Sequence, residues 1–161
     1  MTKITAIIPT LNEALHIKDA IASVDFADEI IVIDSYSTDE TVTIANSYNV
    51  KVVQRVFDDF SSQKNYAIDM ASHDWIYVLD ADERTSPQLK EEIQKINLSK
   101  TNFVGFFVKR AFYFKNKRIR FSGWQRDKVI RLFNKNFCKY NGKPVHETID
   151  AKGKVDVLEN S

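Results

Sequence analysis

The 161-residue sequence predicts an α/β protein built on an open, mostly parallel sheet with helices on both faces. Three observations carry that reading. Short apolar runs recur through residues 1–100, helical periodicity fills the gaps between them, and most of the runs end in a polar cluster. Near-continuous apolar runs are the habit of strands buried on both faces. Strand–helix alternation is what right-handed crossovers in a parallel sheet require.

The elements follow in order. Ile4 to Ile8 forms the first strand, with Pro9 as its stop. Ile17, Ile21 and Val24, spaced at four and three, mark the first helix. Glu29 to Asp34 is the second strand. Ser37 followed by Glu40 resembles a capping box, so a helix is expected to start near Thr38 and to bury Val42, Ala45 and Tyr48. Val50 to Val53 is a third strand, and Tyr66, Ala67 and Met70 mark a third helix. Trp75 to Asp80 is the fourth strand. Ser86 sits at an N-cap with Pro87 in the first helical position, ahead of Leu89, Ile93 and Ile96 on one face. Beyond residue 100 the texture turns to aromatics interleaved with Lys and Arg. Phe103–Phe121 reads as strands, with a turn at Lys115-Asn116-Lys117. Val129–Phe133 and Pro144–Ile149 are further strands, the latter the last, and Lys152-Gly153 suggests a turn. The expected organisation is one domain over 1–161, with a ligand-binding half at 1–100 and a smaller strand-rich half at 101–161.

Composition excludes several classes. Hydrophobic residues are 43% and charged residues 28%, a globular balance that rules out wholesale disorder. The single cysteine, Cys138, cannot form an internal disulfide, and no Cys/His cluster offers a zinc site; a reducing, cytoplasmic setting is expected. No apolar run approaches a membrane span, and no signal peptide is evident. The net charge of +1 hides an asymmetry: residues 1–100 carry 9 Lys and Arg against 17 Asp and Glu, and residues 101–161 carry 14 against 5. Acidic clusters can hold a metal and basic surfaces can meet phosphate or anionic lipid, although solvated charge explains either half as readily.

In open α/β sheets, ligands bind outside the carboxyl ends of the strands. Pro9-Thr10-Leu11-Asn12-Glu13, Asp34 to Thr41, and Asp80-Ala81-Asp82-Glu83 occupy three such ends. Each admits a structural account, as caps or turns, but a parallel sheet brings all three to one rim. The sequence has no GxGxxG, no GxxxxGK[ST] and no GxSxG, which argues against the usual dehydrogenases, P-loop NTPases and serine hydrolases. Asp80 and Asp82, one residue apart at a strand end, point the same way and would repel unless a cation lies between them. Oxygen-only ligands suit Mn²⁺ or Mg²⁺, which bridge carboxylates to substrate phosphates.

These residues carry a family resemblance. Ile8 to Glu13, Ile33 to Thr41, Gln63-Lys64-Asn65, Leu79 to Glu83, Gly123-Trp124, Arg131-Leu132-Phe133 and Val145-His146-Glu147 resemble, in order, a family 2 glycosyltransferase of the GT-A fold. More narrowly, the chain is similar to short bacterial beta-1,4-glucosyltransferases of the lipopolysaccharide core. The resemblance implies a nucleotide pocket lined by Pro9, Thr10, Asn12 and Glu13, with Asp34 accepting from a uracil ring and Ser37 beside it. It implies Lys64 facing the nucleotide or its diphosphate, Asp80 and Ala81 near the ribose, and Asp82, with Asp80, at the metal. It places the acceptor's general base at Glu147. Asp127 is the alternative, the lone acid between Lys109 and Lys143, although it can simply pair with Arg126 or Arg131. Relatives of this kind usually continue beyond the Val-His-Glu strand, so a C-terminal truncation and an exposed apolar patch are expected.

The implied reaction is an inverting transfer from a nucleotide-diphosphate donor, a UDP-sugar, to a saccharide or lipid-linked acceptor in cell-envelope glycan synthesis. Arg126, Lys128 and Arg131 are candidate cations for the leaving diphosphate. His146 either orients Glu147 or packs in its strand, and Trp124 either stacks on a sugar or fills the core. Cys138 reads as a buried filler. The basic-aromatic stretch reads first as ordinary strands, with some charges serving the donor or the inner membrane surface; no RNA-binding signature accompanies it, and no nucleic-acid partner is expected. Two other readings compete: a nucleotide-sugar-binding fragment without turnover, and a nucleotidyltransferase, whose Gly-rich basic N-terminal loop is missing.

Overall fold

The computed structural model describes residues 2–111, 113–114, 117–118, 128–143 and 147–161. The chain runs β1 (Ile4–Thr10), α1 (Ile17–Ser23), β2 (Glu29–Asp34), α2 (Thr41–Asn46), β3 (Lys51–Gln54), α3 (Phe60–Met70), β4 (Trp75–Val78) and α4 (Pro87–Lys95). It continues as β5 (Phe103–Lys109), β6 (Tyr113–Phe114), β7 (Lys117–Arg118), β8 (Lys128–Asn134), β9 (Cys138–Tyr140), β10 (Ile149–Ala151) and β11 (Lys154–Val157). Among the described residues, seven strands form one sheet in the order β11-β5-β8-β4-β1-β2-β3. Its neighbours are parallel except at β8, which runs antiparallel to both β4 and β5. β9 and β10 pair as a small separate sheet, as do β6 and β7.

The apolar runs are buried on both faces because alternate residues feed two cores. Ile4, Ala6, Ile8, Val32, Tyr77 and Leu132 pack with Ile17 and Ile21 of α1 and Leu89 and Ile93 of α4. Ile7, Ile31, Ile33, Ile76, Val78 and Phe133 pack with Ala67 and Ile68 of α3 and with Cys138 and Tyr140 of β9. The expected sheet with helices on both faces is borne out. β5, β8 and β11, all from the back half, extend the sheet that the front half begins.

Three sequence expectations are corrected. β1 runs through Pro9 to Thr10, in register with Ile33 and Asp34 of β2. The Ile7 carbonyl accepts from Leu79 on the β4 side. Two residues on, Pro9 faces that same side beyond the last β4 pairing, where its missing N–H costs no ladder bond. α2 starts at Thr41 rather than near Thr38, because the Ser37 hydroxyl is committed to Asp34 instead of to a cap. The last strand is β11, parallel to β5. Lys152-Gly153 forms a bend, where a turn was expected, and passes the chain from the small sheet to the large one. It runs so close to β5 that a Cβ on Gly153 would lie 2.6 Å from Val104 Cγ1. Ser86 and Pro87 start α4 as expected, with Ser86 Oγ accepting from Leu89 N.

Candidate functional site

β1, β2 and β4 are parallel, so their carboxyl ends share one edge of the sheet. The loops after β1 and β2 are stitched together there. Asn12 N donates to Ser37 Oγ at 2.8 Å, and Asn12 Oδ1 accepts from Thr38 N at 2.8 Å. Glu13 N donates to Thr41 Oγ1 at 2.8 Å, and Ala14 N to Asp39 at 3.1 Å. Asn12 takes a left-handed φ of 55°, which Asn tolerates; Tyr36 takes 61°, which a bulky residue does not readily adopt. Asp34 is fully buried, and its carboxylate accepts from Ser37 N (2.9 Å), Ser37 Oγ and Gln54 Nε2 (3.0 Å). Its lone pairs thus hold the loop. The Thr10 hydroxyl, buried at the same corner, has no hydrogen-bond partner among the described residues.

The second part of the edge is a chain of charges. Lys64 Nζ lies 2.7 Å from Glu147 Oε1 and 3.3 Å from Asp80 Oδ1. Arg131 Nη2 lies 3.0 Å from Asp80 Oδ2 and 2.6 Å from Glu83 Oε2. Both cations are buried, with side chains 6% and 7% exposed. The Lys64 ammonium also sits over the rings of Tyr140 (5.3 Å) and Phe60 (5.9 Å). Burial opposes the charge of Asp80, but Arg131 and Lys64 outweigh it and hold the carboxyl below the ordinary range. Burial also opposes the charge of Lys64, and Tyr140, Asp80 and Glu147 outweigh it, so the ammonium is held above its usual value. For Glu83 burial wins: aided by the Asp80 charge and opposed by Arg131, it raises the carboxyl.

On the Asp80 side, the repulsion expected between Asp80 and Asp82 is already relieved by protein cations. Asp80 receives its charge relief from Lys64 and Arg131, side chains of distant elements that spacing alone does not reveal. Asp82 is exposed, with no partner among the described residues, and borders a cavity of about 780 Å³ with Asp80, Glu83, Arg131, Lys109 and Arg110. No group of three or more His, Cys, Asp or Glu forms a cage among the described residues. One open carboxylate beside a cavity fits a hard divalent ion that arrives with phosphate oxygens, the habit of Mg²⁺-like sites.

The structure brings together Thr10, Asn12, Glu13, Asp34 and Ser37 at one corner, and Lys64, Asp80 and Glu147 at the next, with Asp82 two residues beyond Asp80 on the cavity wall. Pro9 is half-buried and Ala81 buried, its carbonyl accepting from Arg84 at 2.9 Å. Lys64 faces inward to carboxylates. Arg131 is committed to Asp80 and Glu83, and Lys128 covers the Phe107 ring at 4.8 Å. Asp127, Gly123, Trp124, Arg126 and His146 lie outside the described residues. Cys138 is buried, which pushes its thiol up to about 11, in keeping with an inert filler. Sequence reasoning assigned no role to Glu83, Gln54, Gln63 or Asn65. Glu83 stood within a strand-end cluster, and Gln63 and Asn65 within a polar run, Ser61 to Asn65, inside a helix that needed a buried face; Gln54 carried no such signal.

The edge, the sheet order and the loops define a GT-A nucleotide-sugar transferase fold. Staphylococcus aureus TarS 1-349, solved in complex with UDP-GlcNAc, superposes with a TM-score of 0.59 at 23% identity over 75% of this chain and 38% of that one. Glucosyl-3-phosphoglycerate synthase from Mycobacterium tuberculosis, in complex with Mn²⁺, UDP and phosphoglyceric acid, superposes at 0.54, with 23% identity over 67% of this chain and 42% of that one. The chain belongs to glycosyl transferase family 2, whose family model matches residues 5–151. An uncharacterized glycosyltransferase of Rickettsia felis is 37% identical across 100% of this chain and 61% of its own length. The lipopolysaccharide core biosynthesis glycosyltransferase LpsC of Rhizobium meliloti is 27% identical over 94% of this chain and 58% of its own. The chain spans about half to three fifths of the length of the Rickettsia and Rhizobium relatives it matches. No helix among the described residues is long and apolar enough to cross a membrane.

Proposed function

We propose that the chain is the donor-binding and catalytic part of an inverting glycosyltransferase that takes a UDP-sugar with Mn²⁺ or Mg²⁺. The acceptor is a saccharide or lipid-linked saccharide of the cell envelope, met at the cytoplasmic face of the membrane. One observation supports this most: Glu147, from the back half, stands one lysine away from Asp80 at the carboxyl edge of β4. A general base must lie across the donor sugar from the diphosphate, and a carboxylate from the other half of the chain meets that need. The loops carrying Pro9, Thr10, Asn12, Glu13, Asp34 and Ser37 form the nucleotide corner, where the buried Thr10 hydroxyl has no partner among the described residues. Asp80 and Ala81 flank the ribose.

In the transfer, an acceptor hydroxyl oxygen bonds to the anomeric carbon as the bond from that carbon to the diphosphate oxygen breaks. The hydroxyl proton passes to a Glu147 oxygen, a step that typically contributes about 10² to 10⁴ in rate. Asp82 would hold the divalent ion, which supplies Lewis-acid stabilisation of the departing diphosphate. Titration calorimetry with UDP, with and without manganese, tests the reading. Manganese-dependent binding that Asp82→Ala abolishes is expected, and no binding at millimolar UDP overturns it. Binding without any transfer or donor hydrolysis would favour the second reading, a nucleotide-sugar-binding unit without turnover. Pyrophosphate release from a nucleoside triphosphate and a sugar phosphate would instead favour a nucleotidyltransferase.

A further inference from the structure

α3 carries more than a core stripe. Ser61, Lys64 and Asn65, spaced at i, i+3 and i+4, share one face of it. All three grip the stretch that runs from β9 towards β10. Ser61 Oγ donates to the Lys143 carbonyl at 2.9 Å. Asn65 takes both backbone groups of Tyr140, donating to the carbonyl and accepting from the N–H, each at 3.1 Å. Lys64 reaches Glu147 and, from the same nitrogen, Asp80. Gln63 turns the other way and donates to Ser35 Oγ at 2.5 Å, just past β2. One helix thereby ties the ends of β2 and β4 to the segment that carries Glu147.

We propose that Lys64 is a positioning residue that fixes Glu147 relative to Asp80, and so sets the acceptor-side carboxylate against the donor-binding edge. The inference rests on the reading of Glu147 as the base, and deepens it. A single buried ammonium shared by two carboxylates fixes their separation, since each must stay within ion-pair reach of it. Fold stability alone gives no reason for a lysine here, because a well-packed apolar side chain usually serves a buried position at least as well. Without the ammonium, Asp80 and Glu147 face each other as like charges. The Glu147 side chain, 18% exposed, has a short path to water and takes its segment with it.

Hydrogen exchange on the full chain tests this, read in peptides covering residues 140–151. Lys64→Met keeps most of the side-chain volume and removes the charge; Lys64→Arg keeps the charge. Lys64→Met and Glu147→Gln are each expected to speed exchange in that stretch at least tenfold, leaving β1 and β2 unchanged. Lys64→Arg is expected to retain most of the protection, and the Lys64→Met/Glu147→Gln double variant to exchange no faster than either single one. Wild-type protection in Lys64→Met, equal loss in Lys64→Arg and Lys64→Met, or additive effects in the double variant would each overturn the proposal. If Lys64→Met does not fold, Lys64→Arg and Glu147→Gln decide: protection lost with arginine, or kept in Glu147→Gln, overturns it. Should Glu147→Gln lose protection yet transfer sugar at the wild-type rate, the base assignment falls while the positioning role stands.

Discussion

The two corners of the carboxyl edge are held by opposite means. Around Asp34 the loops after β1 and β2 are joined by backbone N–H groups, hydroxyls and amides, with one carboxylate fully satisfied by three protein donors. Around Asp80 the holding groups are charges: Glu147, Lys64, Asp80, Arg131 and Glu83 alternate in sign along a connected chain. Neutral hydrogen bonds between adjacent loops give a rigid frame whose geometry ligand charge perturbs little. A chain of half-buried ion pairs is tighter but conditional, since the loss of one member leaves its neighbours uncompensated. The rigid corner suits recognition of a fixed group, and the charged corner suits chemistry in which charge moves.

The sharpest way to separate them is Glu147→Gln. Transfer should fall by about 10² to 10⁴, while UDP affinity by calorimetry stays near wild type. Arg131→Met strikes the centre of the charged corner and leaves Glu83 and Asp80 without their shared cation. Urea unfolding should show a loss of about 3 kcal/mol. Ser37→Ala strikes the neutral corner, removing one bond to Asp34 and one to Asn12. A loss of about 1–2 kcal/mol is expected in the same assay, and a loss equal to that of Arg131→Met would erase the contrast.

Acid gives a smaller and signed test. The folded-state carboxyl of Asp80 is depressed, so its contribution is present above the unfolded value of about 3.9 and is lost as pH falls through the folded one. Glu83 is raised, so the folded state takes up its proton first, and protonation favours folding just above the ordinary glutamate range. Thermal melts should therefore hold or rise slightly as pH drops from 7 towards 5, then fall below about 4. The early rise should vanish in Glu83→Gln, and the acid loss should be shallower in Arg131→Met. Smallest is Tyr36→Gly, which relieves a left-handed φ at the neutral corner and should stabilise the fold by about 1 kcal/mol.

The sequence was most legible where periodicity and strand ends speak locally. β2 and β4, the cap at Ser86 and the gathering of Asn12, Asp34 and Asp80 on one edge all follow from the apolar runs and parallel pairing. It misled where a residue has two possible partners. Ser37 reads as a cap, but its hydroxyl meets Asp34 and Asn12. Pro9 reads as a stop, but the neighbouring strand has already ended beside it. Asp80 and Asp82 read as a matched pair, although Asp80 is turned to Lys64 and Arg131.

The amino-acid order alone determined the layered α/β class, the buried strands and which polar clusters share a rim, because these depend on side-chain period and on a topology with few alternatives. Tertiary structure decided who pairs with whom there. Lys64 meets Glu147 across 83 positions, and Arg131 meets Asp80 across 51. Coulomb attraction and desolvation act through space, so the fold had to form before either charge had a partner.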